Sequence, residues 1–162
     1  MKIRKTKYRF FILFISFCLD FFDINATGMT AQRFRMDIIS QNVANANTTR
    51  TSDGTPYVRK VVTFTEKDTQ TPFHHVLNEA RDRYSGKGVK VDGVYEDKET
   101  EMNMVYDPSH PDADENGYVT YPNVNIITEM TNLIDASRSY EANATAFNAS
   151  KTIAMQGLNL GK

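Results

Sequence analysis

Cysteine is nearly absent from this 162-residue chain: Cys18 stands alone. An intramolecular disulfide is thereby excluded, and thiolate metal sites and dithiol redox chemistry lack their ligands. An excess of one charge is missing too. Nineteen Lys and Arg against twenty Asp and Glu leave a formal net charge of −1, so no bulk positive field draws the chain to nucleic acid. The glycines form no phosphate-cradling G-x-G-x-x-G or P-loop, and no nucleophile elbow occurs. The apolar run from Phe10 to Leu19 is about half the 20 residues that a membrane-spanning helix needs. Proline, finally, is missing from Asn123 onward, and with it a common reason for a helix to stop.

That proline-free stretch carries the strongest pattern in the chain. Ile126, Met130, Leu133, Ser137, Tyr140, Ala144, Phe147, Lys151, Ala154 and Leu158 follow alternating steps of four and three, with only Ser137 and Lys151 not apolar. This is the 3.5-residue period of a coiled-coil seam and predicts one helix over Asn123–Leu160. At 1.5 Å per residue it would be roughly 57 Å long, more than a small domain can cover, so it requires partners outside its own fold. Pro122 ends what precedes it, Asn123 or Asn125 can cap, and Glu129 suits the positive end of the helix dipole. From Ala142 to Ser150, small Ala, Asn, Thr and Ser residues surround Phe147. A neighbouring backbone can approach such a strip closely and find hydroxyls and amides to bond.

A second helical pattern starts near Asp20. Met29, Met36 and Val43 recur every seven residues, with Gln32, Ile39 and Ala46 three residues after each. It runs into the cluster from Gln41 to Thr49, where asparagines and threonines compete for backbone hydrogen bonds and stop a helix. Upstream, Lys2, Arg4, Lys5, Lys7 and Arg9 precede the Phe10–Leu19 apolar run, which resembles the start of a secretory signal. Phe17 stands where a lipoprotein would carry a small residue before Cys18, and the small pair Ala26 and Gly28 falls inside the second seam. The expectation is that residues 1–19 are an extension outside the working protein.

Between the two seams the chain reads as β-rich. Tyr57 to Thr65 and Val89 to Tyr95 are rich in β-branched and aromatic residues, with turns at Asp53-Gly54 and Gly86-Lys87-Gly88. Residues 67–84 are polar and irregular, with a possible helical turn over 76–83. Asp112, Asp114, Asn116 and Gly117 reproduce the opening of a calcium loop, but Asn123 stands where the bidentate Glu belongs, and Pro108 and Pro111 occupy the place of an entering helix. A polar turn between a strand and the long helix is the better reading. His74 and His75 are adjacent and would point apart on a strand, and with His110 they make no zinc or general-base spacing, so they read as loop histidines.

Three separated motifs carry a resemblance. QNVANANTTRTSDGTPY (41–57), YDPSHPDADENGYV (106–119) followed by YPNVN (121–125), and SRSYEANATAFNASK (137–151) stand in the order found in the flagellar rod, hook and hook-associated axial proteins. From about Asp20 to Lys162 the chain resembles the proximal-rod branch of that family. The resemblance implies an α+β fold, with long N- and C-terminal helices pairing as a coiled-coil core around a small β-rich middle segment. Its parts would be the extension 1–19, an N-terminal rod helix 20–49, the middle segment 50–122 and a C-terminal rod helix 123–162. The implied function is a structural subunit, not an enzyme, that polymerises through its terminal helices into the torque-transmitting shaft crossing the periplasm in the flagellar basal body.

The implied partners are other copies, other rod proteins, the rod base adaptor and the flagellar type III export apparatus, with no cofactor, metal, nucleic acid or small-molecule substrate. Residues expected at the assembly interface are Met29, Met36, Ile39 and Val43 in one seam and Met130, Leu133, Tyr140, Ala144 and Phe147 in the other. Asn42, Asn45 and Asn47 would be the amides that fix register, since apolar seams alone slip. The competing reading is a secreted or membrane-tethered calcium-binding or adhesive protein, resting on the basic-apolar start and the Asp112 loop.

Overall fold

The computed structural model describes residues 2–67 and 88–160; His74, His75 and the expected turn over 76–83 lie outside them. The elements in chain order are helix α1 (Lys2–Ala44), strands β1 (Lys60–Glu66), β2 (Val89–Glu96), β3 (Asn103–Tyr106) and β4 (Tyr118–Tyr121), and helix α2 (Ile126–Leu160). This is the α+β arrangement of two long terminal helices with a strand-bearing middle. Helix α1 runs through Leu19 and Asp20 without a break.

Each boundary has a local cause. Helix α1 stops where Asn45 folds back: its side-chain amide donates to the Gln41 carbonyl at 2.8 Å, and the Thr48 N–H then donates to the Asn45 carbonyl. Of the two candidate caps of α2, Asn125 is the one that acts. Its side-chain oxygen accepts from the N–H groups of Ile127 and Thr128 at 3.0 and 3.2 Å, satisfying donors that a helix start leaves open.

The strands form two two-stranded sheets, β1 with β2 and β3 with β4. Bonds at the two ends of the first pair, Lys67 N–H to Gly88 C=O and Asp97 N–H to Arg59 C=O, make it antiparallel. β3 and β4 are antiparallel with Val105 opposite Val119 and Tyr106 opposite Tyr118. The polar turn expected at Asp112–Gly117 is the link of this hairpin and leads into β4 before the long helix, and the two short strands are elements that the sequence reading did not name.

Two compact units emerge. The first comprises Met1–Ala31, Phe64–Lys90 and Ser139–Lys162. In it, Phe22 of α1 meets Phe147 of α2 edge to face, with ring centroids 5.0 Å apart, and Gly28 lies against Asn143 closely enough that a Cβ would stand 3.0 Å from the amide oxygen. Helix α2 thus runs antiparallel to α1 here. Gly88 takes a left-handed φ of +79° and a side chain there would collide with the Thr27 hydroxyl, which itself accepts from the Val89 N–H at 3.2 Å.

The small polar residues of this unit bond differently from expectation. Asn143, Thr145, Ser150 and Thr152 donate to carbonyls four residues back in α2 itself, at Ser139, Glu141, Ala146 and Asn148. Those donors are satisfied inside their own helix, as hydroxyls and short amides in helix interiors commonly are, so the strip's hydrogen bonds are local while its smallness still permits close approach.

The second unit comprises Gln32–Thr63 and Val91–Arg138. Its apolar centre is small: Ala46, Tyr57 and Val124 cluster, and Ile38 and Ile39 on α1, Val119 on β4 and Ala136 on α2 are also buried. Glu129, Asn42 and Pro122 are among its fully buried side chains. A core that places a carboxylate and an amide among its most buried groups must satisfy them internally.

Candidate functional site

Asn42, near the end of α1, uses its whole hydrogen-bonding capacity. Its amide nitrogen donates to the Lys60 carbonyl at 2.8 Å and to Glu129 Oε2 at 3.0 Å. Its oxygen accepts from the Lys60 N–H and the Tyr57 hydroxyl, both at 2.9 Å. The side chain therefore pairs with the backbone of Lys60 as an added strand residue would, while reaching the first turn of α2 on its other side. An amide can do this because it carries two donors and an acceptor with two lone pairs.

A second asparagine takes the N–H of the preceding residue. Asn123 accepts from the Arg59 N–H at 2.9 Å and donates to the carbonyls of Asp97 and Thr100. The Arg59 side chain joins the two amides. Its Nε and Nη2 donate to Glu129 Oε1 at 2.9 and 2.8 Å, and its Nη1 donates to Asp97 Oδ2 at 3.1 Å. Burial opposes charge on Arg59, but its hydrogen bonds to and attraction by Glu129, and then Asp97, prevail and hold the guanidinium above its ordinary value.

The Asp97 carboxyl is held below its ordinary value, first by the Thr100 N–H and hydroxyl and then, against some desolvation, by Arg59 and the Glu99 N–H. Burial, followed by the charges of Glu129 and Glu96, pushes the Tyr57 hydroxyl up, which keeps it a neutral donor to Asn42. Lys60 Nζ sits 5.7 Å from the Tyr57 ring centroid, within cation–π range. Chemically this is a closed network: every group named is tied to another, and the arrangement fixes α1, β1, β2 and the start of α2 to one another.

The Asp112 loop is also internally engaged. Asp112 Oδ2 accepts from the Thr49 hydroxyl at 2.8 Å, and its Oδ1 stands 3.7 Å from exposed Arg50. Asp114 Oδ1 accepts from the N–H groups of Asn116 and Tyr118, and Gly117 provides the left-handed φ of +81° that closes the turn. The loop is the link between β3 and β4, and its carboxylates serve different partners. With the Thr49–Pro56 turn it borders an open cleft of about 340 Å³ whose walls include Arg50, Pro111 and Tyr118.

The expected interface residues fall into three groups. Ile39 and Asn42 are buried, and Asn42 is engaged within its own subunit. Met29, Met36, Val43, Asn45, Leu133, Ala144 and Phe147 are half-buried, Phe147 against Phe22. Asn47, Met130 and Tyr140 are exposed. Beside the 3.5-residue pattern, and sharing Met130 with it, runs a second stripe on α2. Ile127, Met130 and Ile134, spaced three and four apart and so on one face, leave 77%, 55% and 53% of their surface uncovered. The period itself could have found it, because these positions also repeat at helical spacing. Arg59, Asp97 and Tyr57 carried no local signal.

Two long terminal helices holding a small strand-bearing middle, with apolar stripes left open, define a subunit built for assembly, and comparison with known proteins agrees. Residues 22–50 match the family described as flagella basal body rod protein, and residues 115–160 match the flagellar basal body rod FlgEFG protein C-terminal family. The flagellar basal-body rod protein FlgC of Bacillus subtilis is 43% identical over 86% of this chain and 95% of its own. That of Borreliella burgdorferi is 42% identical over 81% and 89%, and that of Salmonella typhimurium 38% over 89% and 98%. The chain belongs to the FlgC family of flagellar basal-body rod proteins. It is accordingly a structural subunit of the rod, located in the bacterial flagellar basal body.

Proposed function

We propose that this subunit polymerises through faces of its terminal helices that its own fold leaves uncovered, joining other copies and other rod proteins in the shaft that transmits torque. The observation that carries the reading is the Ile127, Met130 and Ile134 stripe of α2, whose exposure is costly for a lone molecule: covering three such side chains is worth several kcal/mol at about 25 cal/mol per Å². Heterologous contacts that do not close on themselves would propagate a helical tube. Within this reading Tyr140 and Asn47 add exposed contacts, while Met29, Met36, Val43, Asn45, Leu133, Ala144 and Phe147 shape the helix pair that presents them. Ile39 and Asn42 act from inside the subunit.

The reading is non-enzymatic. The titratable groups that the described fold gathers, Arg59, Glu129 and Asp97, are bound to one another. The rod base adaptor and the type III export apparatus belong to the proposal as partners because the resemblance implies them. The test is the double substitution Met130→Asp and Ile134→Asp. We expect a chain with an unchanged urea midpoint that fails to enter basal bodies and leaves cells non-motile. Normal motility would refute a role for this stripe.

A further inference from the structure

The link between β3 and β4 is a chain of short turns, and a histidine ties the first of them together. The His110 N–H donates to the Asp107 carbonyl at 3.2 Å, the Ala113 N–H donates to the His110 carbonyl at 3.1 Å, and the Asp112 N–H donates to His110 Nδ1 at 3.1 Å. The last bond sets the state of the ring. Only an unprotonated nitrogen can accept from a backbone N–H, so Nδ1 carries no proton and the neutral imidazole keeps its hydrogen on Nε2. Asp107 and Asp114 also accept backbone N–H groups in this link. Unlike a carboxylate, an imidazole ordinarily changes its charge between pH 5 and 8.

The groups that face the ring decide what a proton does there. Tyr121 of β4 presents its ring at 6.3 Å between centroids. The Asp107 carboxyl is held below its ordinary value, first by the Ser109 hydroxyl and N–H and then, against some desolvation, by the charge of His110. Asp112 has both carboxylate oxygens engaged beyond the end of α1, Oδ2 by the Thr49 hydroxyl at 2.8 Å and Oδ1 by Arg50 at 3.7 Å. A proton on Nδ1 turns the acceptor into a donor aimed at the Asp112 N–H. That bond is then lost, and the Asp107 carboxylate attracts the imidazolium.

We infer that His110 is a proton-operated latch on the β3–β4 link: the neutral ring holds the Pro111–Asp114 segment in its turn, and the protonated ring releases it. The segment forms part of the wall of the open cleft that Thr49, Arg50, Gly54 and Pro56 also line. Through Asp112 it also ties the turn after α1 to the hairpin. Acidification therefore loosens this tie without breaking the Arg59–Glu129 pair. The latch operates within a single subunit and does not depend on how copies polymerise.

The test follows the backbone amides of the whole purified chain, together with the His110 ring signals, by NMR from pH 8 to pH 5. The Asp112 and Thr49 amides are expected to move with one midpoint, that of the His110 ring. Protection of the Asp112 amide against hydrogen exchange, corrected for the intrinsic rate at each pH, should fall roughly three- to tenfold, as the loss of one hydrogen bond of ordinary net strength allows. His110→Asn supplies an oxygen that accepts from the N–H two residues on and does not titrate, so it should keep that protection at both ends of the range. His110→Ala should show the low protection already at pH 8. An Asp112 amide that ignores the His110 titration, or a loss of protection of equal size between pH 8 and pH 5 in His110→Asn or His110→Ala, would overturn the latch.

Discussion

At the residue scale, one asparagine accounts for much of how the second unit holds together. Removing the Asn42 side chain leaves a Lys60 N–H and carbonyl, the Tyr57 hydroxyl and one Glu129 oxygen without that partner. Asn42→Ala is therefore expected to destabilise by about 2–4 kcal/mol in urea unfolding, since buried donors and acceptors left open carry their full desolvation cost. Tyr57→Phe removes a single bond and should cost only about 1 kcal/mol. Arg59→Met strands a carboxylate that is 1% exposed, for which about 3 kcal/mol is the expected loss. An acid effect belongs here as well. Asp97 binds its proton less readily folded than unfolded, so its contribution is present above the ordinary carboxylate range and is lost as pH falls below about 4. Asp97→Asn should flatten the acid limb of stability measured by denaturant midpoints between pH 5 and pH 2, and an unchanged limb would remove Asp97 as its source. None of these roles could be read locally. Asn42 sits in an Asn/Thr cluster that announces only a helix end, and its partners Lys60 and Glu129 lie 18 and 87 residues further along.

At the scale of elements, periodicity was a good guide wherever an element was long. Helix α2 and helix α1 from about Asp20 onward follow from the spacing of their apolar residues, while α1 also extends upstream over Lys2–Leu19, where no seam was read; β1 and β2 follow from runs of Val, Thr, Tyr and Phe. The β3–β4 hairpin was illegible because each strand has four residues and the segment between them is rich in Pro, Asp and Asn, a composition that reads as loop. On α2 the expected seam has a second apolar stripe beside it. Counting steps of four and three from Ile126 picks Leu133 and Phe147, which the fold half-covers, and misses Ile127 and Ile134, because two overlapping stripes share Met130 and the pattern alone does not say which one the subunit covers. Gly88 offers a clean check on element geometry. Gly88→Ala meets both an unfavourable φ of +79° and the Thr27 hydroxyl, so it should cost about 1–3 kcal/mol. Thr27→Ala should recover only the steric share, and full recovery would show that the backbone at 88 is unstrained.

For the whole molecule, the account assigns rigidity and adhesion to different groups. Polar groups on α1, at the ends of β1 and β2 and around the start of α2 close on one another and hold the second unit together, while the Ile127, Met130 and Ile134 stripe stays open. On the proposed reading, substitutions in the network should lower stability, while substitutions on the open apolar stripe should lower incorporation without doing so. The most direct test is a cryo-electron-microscopy map of isolated basal bodies at side-chain detail. The account predicts Ile127, Met130 and Ile134 of each copy packed against a neighbouring subunit in the rod. A map in which these three side chains face solvent or the open lumen, with the subunit held by other surfaces, would contradict it.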